Sequence, residues 1–145
     1  MKLSPNFTKE ELIRSQLAAR HKINNEPNDI QLANLIRLAE FLERVRSLFA
    51  RPLLVSSGFR CHKLNCELLK SKPTSQHMIG CAADFTVMGV DVAQSFQTIK
   101  DSGLPFDQVI KEYDAWIHLS IPRSASDEPR ELALIIDSDG TRRAD

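Results

Sequence analysis

Between Pro27 and Pro52 lies the segment that most limits the folds open to this chain. Ile30, Ala33, Leu35, Ile36, Leu38, Ala39, Leu42, Val45 and Leu48-Phe49 recur near helical spacing, and Arg37, Glu40, Glu43, Arg44 and Arg46 fall largely between them. Asp29 is placed to cap this helix and Arg51-Pro52 to end it, with its charges expected on a solvated face. A long helix with one apolar face needs a surface to cover, so the remaining sequence must supply one.

That surface reads as a small sheet. Leu53 to Ser56, Ala82 to Val87, Gln108 to Glu112 and Ala115 to Ser120 are short apolar or alternating runs bounded by turn residues. The last two are joined by a tight Tyr113-Asp114 connection or run on as one bulged strand. Thr8-Lys9-Glu10-Glu11 fits a capping box, with Phe7 and Leu12 as a staple, and predicts one helix from about Lys9 to Ala19. His21 to Asn28 reads as loop, Cys61 to Gln76 as a short helix and surface loop, and Asp91 as the cap of a helix reaching about Ser102.

Helices segregate from strands, which favours α+β over a doubly wound sheet. The expectation is a single compact domain over residues 1–145, a small antiparallel sheet with helices packed against it. Its core spans about residues 3–122, and 123–145 form a partly mobile C-terminal extension holding an apolar run, Leu132 to Ile136, and the turn Asp137 to Gly140.

Charge narrows the function. Lys plus Arg and Asp plus Glu are both 19, so no basic excess steers the chain of 145 residues to nucleic acid or an anionic membrane. No run of about 18 apolar residues suits membrane insertion, and MKLSPNFTKEELIRS lacks the apolar centre of a secretion signal, so cytoplasmic synthesis is expected. The chain is further expected to be a monomer. Cys61, Cys66 and Cys81 are odd in number and form no C-x-x-C pair, so they read as thiols and not as ligands. His21 and His62 read as surface residues.

The chemistry concentrates elsewhere. His77 and Asp84 flank Gly80 at a loop-to-strand turn that can bring an imidazole and a carboxylate to one ion, and His118 in the strand Ile117-His118-Leu119 supplies a plausible third ligand. Two His and one carboxylate leave a tetrahedral position open, as in a catalytic zinc site. Glu112, Asp114, Trp116 and His118 are spaced by twos, so a regular strand would turn all four to one face and bring an acid beside the metal as general base.

Three elements, Ser57-Gly58-Phe59-Arg60, Ser75-Gln76-His77-Met78-Ile79-Gly80-Cys81-Ala82-Ala83-Asp84-Phe85 and Glu112 to Ser120, resemble in order the motifs of the zinc D-Ala-D-Ala metallopeptidases. The Asn6-Phe7-Thr8 opening, the Asn34 to Arg46 helix and Asn65 are similar to small peptidase domains of phage and prophage lysis proteins. The resemblance runs from about Leu3 to Ser120. It implies a fold related to lysostaphin-type enzymes and the hedgehog signalling domain, with one zinc held by His77, Asp84 and His118.

It further implies that Arg60 holds a substrate carboxylate or polarises the scissile carbonyl, and that Ser75 and Gln76 border the cleft. Trp116, the one Trp of the chain, reads either as a core aromatic or as a residue lining that cleft. Many relatives place the base three residues before the last zinc histidine, where this chain has Ala115. The hedgehog-like position six before it is Glu112, with Asp114 in reserve. The implied substrate is a bacterial peptidoglycan stem peptide, cut at a D-Ala-D-Ala or L-Ala-D-Glu type bond, in phage lysis and in the periplasm. The alternative implied by the absent base position is a catalytically silent zinc-containing binding domain, or a virion-associated structural one, of the same fold.

Overall fold

The computed structural model describes residues 1–144; Asp145, the end of the expected extension, lies outside the described residues. The chain opens with β1 (Lys2–Ser4) and β2 (Phe7–Thr8), which pair antiparallel. Two short helices follow, α1 (Lys9–Ile13) and α2 (Gln16–Arg20), where the sequence suggests one. The reason is competition for carbonyls: Leu12 O accepts from the Phe59 amide at 2.7 Å and Ile13 O from Asn25 Nδ2 at 2.7 Å. These are the acceptors that a continuous helix would need four residues on. Arg14 is extended, and Ser15 caps α2 by accepting from Ala18 N at 3.0 Å.

Helix α3 (Asp29–Phe49) is the long amphipathic element. Its N-cap is Asn28 and not Asp29, because Asn28 and Gln31 form a reciprocal capping box, each bond 2.8 Å long. Leu35, Leu38, Leu42 and Val45 are fully buried. The polar face is not simply solvated, since Glu43 accepts from Ser4 and Asn6, and Arg37 donates to the carbonyls of Pro122 and Arg123.

After α3 come β3 (Leu53–Ser57), a π-helical turn (Lys63–Leu68), a 3-10 turn (Gln76–Ile79), β4 (Ala82–Val87) and α4 (Val92–Lys100). The chain ends in β5 (Gln108–Glu112), β6 (Trp116–Ser120), β7 (Leu132–Asp137) and β8 (Gly140–Arg143). The larger sheet has six strands in the order β3-β4-β6-β5-β7-β8. It is antiparallel except for β5 and β7, which run parallel, so the expected purely antiparallel sheet becomes a mixed one. The residues expected to trail loosely are β7 and β8, hydrogen-bonded into this sheet; the apolar run Leu132 to Ile136 lies between β5 on one side and β8 on the other.

Alternation sorts the two faces. Ala83, Phe85, Val87, Val109, Ile117 and Leu119 join α3 and α4 in the core. The opposite face carries Asp84, His118 and Ile110, paired in one row across three strands.

Candidate metal centre

Asp84 and His118 are cross-strand partners on β4 and β6, and a third residue, His77, reaches them from the 3-10 turn. One carboxylate oxygen, Asp84 Oδ1, lies 3.3 Å from His77 Nε2 and 2.9 Å from His118 Nδ1. The two imidazole rings meet edge to face, with centroids 5.1 Å apart. The three ligand atoms all lie within 4.8 Å of one another, so they can hold one metal ion. In a tetrahedral zinc site, neighbouring N and O ligands stand about 3.4 Å apart, which these spacings approach.

Surrounding residues set this geometry. The second nitrogen of His77, Nδ1, faces the Gly58 carbonyl at 2.6 Å and donates to it, which fixes the tautomer and leaves Nε2 for the ion. The Arg60 amide donates to the His77 carbonyl at 3.1 Å. Asn25 braces the same loop, donating to Phe59 O at 3.0 Å and accepting from the Cys61 amide at 2.8 Å. From α3, Gln31 and Asn34 donate to the carbonyls of Met78 and Ile79. Gly80, at φ +80°, lets α3 approach, for a Cβ there would stand 2.6 Å from Gln31 O. The sequence reading missed Asn25, Gln31 and Asn34; their only signal is an amide side chain in otherwise unremarkable context.

Burial pushes the His77 imidazole below its usual range against the pull of Asp84, so it stays neutral and able to ligate. Burial alone would raise Asp84, but the two histidines that face its Oδ1 outweigh it and hold the carboxyl well below the usual carboxylate range. Neutral imidazoles with an ionised carboxylate are the state a divalent ion requires.

The centre opens on a cleft of about 760 Å³. Arg60, Ser75, Gln76, Glu112 and Trp116 all line it. Glu112 and Trp116 are cross-strand partners on β5 and β6 and share the face of His118. The parity expectation thus holds for these three through a hairpin and not along one strand. Burial and the charge of Asp84 raise Glu112 above the usual carboxylate range, with His118 and Arg60 opposing.

Asp114 departs from that expectation. It sits with Tyr113 at the hairpin tip, both at positive φ, its side chain 69% exposed and 2.9 Å from Lys111 Nζ. It does not line the cleft.

Arg60 is brought beside Asp84 and Glu112, and burial depresses its pKa while both carboxylates oppose the drop. Its Nη2 lies 3.4 Å from Ser75 Oγ, and Nε is buried without a partner among the described residues. The Trp116 indole N–H, near Glu112 but outside ordinary hydrogen-bond geometry, is the second such donor. Two buried donors on cleft-lining side chains are what an acceptor-rich ligand would satisfy.

Gln76 is already engaged, donating to Asp107 Oδ2 at 2.9 Å and Ile121 O at 3.1 Å. Asp107 also takes the Arg130 guanidinium, with Nη2 at 2.6 Å. Burial raises Asp107, but these bonds more than reverse the effect. Leu134, Ile136 and Thr141 of the C-terminal hairpin complete the cleft wall, a contribution absent from the sequence reading. The cysteines stand outside the ligand group, and His21 and His62 are exposed.

Comparison with known families adds that a family model described as Peptidase M15 matches residues 5–120. Among curated proteins, nothing matches the chain.

Proposed function

Because this chain belongs to the peptidase M15 family, metallopeptidases that act on peptidoglycan peptides, we propose that it is a zinc-dependent enzyme hydrolysing a D-Ala-D-Ala or L-Ala-D-Glu type bond in stem peptides. The observation that carries this reading is the convergence of His77 Nε2, Asp84 Oδ1 and His118 Nδ1 in a cleft that Glu112 and Arg60 also line. Two imidazole nitrogens and one carboxylate oxygen suit zinc. Held there, zinc would act as a Lewis acid on the scissile carbonyl and lower the pKa of a bound water to about 7.

The chain's own residues do the rest. Glu112 takes a proton from the attacking water and returns it to the departing amine; its raised pKa favours the second transfer. Arg60 Nε and the Trp116 indole N–H donate to substrate oxygens, which stabilises charge developing on the carbonyl and fixes the chain in the cleft. Ser75 and Gln76 border the substrate while Gln76 ties the ligand turn to Asp107. The proposed setting, from the likeness to phage and prophage domains, is cell-wall lysis from the periplasmic side by a monomer with one zinc. No helix among the described residues is long and apolar enough to cross a membrane.

The test is metal content together with amine release from purified peptidoglycan, on one sample stripped with EDTA and restored with zinc. One zinc per chain and zinc-dependent release is the expected result. Zinc without release would instead favour a silent binding domain.

A further inference from the structure

Arg60 lines two clefts. Beside the one that holds the candidate metal ligands lies a second, of about 470 Å³, lined by Val55, Ser56 and Ser57 of β3 and by Arg14 and Gln16 at the junction of α1 and α2. We infer that this second cleft is the other arm of the substrate groove, taking an extended peptide chain that passes Arg60, so that the enzyme cuts within a peptide and not at its terminal residue. The inference rests on the peptidase reading and deepens it.

Three observations support it. β3 stands at the end of the sheet order, so its outer edge pairs with no strand among the described residues, and such an edge offers main-chain donors and acceptors to an extended peptide. That edge leads to the metal centre, since Ser57 is the cross-strand partner of Asp84. The wall facing this arm exists because α1 and α2 are separate helices: the break at Arg14 leaves that residue exposed and without an ion pair among the described residues. With Arg60, it gives the arm two cations against the one carboxylate of Glu11, a balance that favours a chain carrying carboxylates.

The two arms make different demands of short and long substrates. A D-Ala-D-Ala dipeptide fits beside the metal centre alone, whereas a stem pentapeptide reaches the second arm. The experiment adds each peptide in turn to the isotope-labelled full chain, follows backbone amide shifts, and identifies hydrolysis products by mass.

The pentapeptide should shift the amides of residues 14–17 and 55–57, the dipeptide should not, and the products should be internal fragments. Arg14→Ala should raise KM for the pentapeptide about two- to fivefold with kcat little changed, the size of one exposed charge pair, and Arg14→Lys should restore it. Shifts confined to residues around Glu112 and Trp116, release of terminal alanine alone, or an unchanged KM would overturn the second arm while leaving the peptidase reading intact. Shifts at residues 14–17 and 55–57 with no hydrolysis would uphold the arm and overturn the peptidase reading.

Discussion

His77 and Gly58 are joined by a 2.6 Å hydrogen bond from the ring to the backbone carbonyl, and Gly58 is itself pinned against α1, where a Cβ would stand 2.2 Å from Leu12 O. The candidate ligand His77 is thus oriented by a glycine at which any side chain would force the neighbouring backbone to shift. Gly58→Ala should cost about 1–3 kcal/mol by overpacking and weaken metal binding about 10- to 100-fold by displacing the carbonyl. Thermal unfolding and competitive zinc titration measure the two effects separately; unchanged zinc affinity in a folded variant would remove the carbonyl from the account.

Glu112 and Asp114 are two residues apart in sequence and face different surroundings, one in the cleft and one at an exposed hairpin tip. Glu112→Gln should lower kcat by about 10²- to 10⁴-fold with zinc content and melting temperature retained, while Asp114→Asn should leave kcat near that of the parent. The reverse pattern would make Asp114 the base.

The ionisation of Glu112 provides a check that needs no turnover. Burial and Asp84 raise its pKa above 4.5 in the metal-free protein, so a carboxyl resonance titration should find its midpoint on the high side of that value. Below that midpoint Glu112 is protonated and unable to act as base, so activity should fall on the acid side. A divalent ion should pull the midpoint down, and Ile136→Ser, which opens the wall at the residue paired with Glu112, should do so too. A metal-free midpoint at or below 4.5 would count against this environment.

Asp107 links the ligand turn to the C-terminal strands through Gln76 and Arg130. Asp107→Asn should destabilise the protein by about 2 kcal/mol, the range for hydrogen bonds to a buried charge. The folded-state pKa of Asp107 is depressed, so its contribution is present above the unfolded value of about 3.9 and is lost as pH falls through the folded one. Melting temperatures of parent and variant should therefore differ at pH 7 and converge in the acid range below about pH 4. A difference that persists undiminished there would assign the effect to packing.

The grouping of His77, Asp84 and His118 was legible in the sequence because its signal is local. His77 and Asp84 flank one turn, His118 alternates with core residues on its strand, and spacing and alternation suffice to bring such residues to one face. The long helix and most strands were legible for the same reason, hydrophobic period. Only the tertiary structure decided the features that depend on pairing between distant segments.

The α1–α2 break follows from carbonyls taken by Phe59 and Asn25, which no local pattern announces. The ordered C-terminal strands follow from β5 offering its edge to β7, a parallel pairing whose register is set across the sheet. Glu112 is distinguished from Asp114 by a hairpin that doubles back between them and turns only Glu112 to the cleft. Periodicity fixes which face a side chain takes; which neighbours it meets there depends on non-local hydrogen bonds and on the space that each close approach permits.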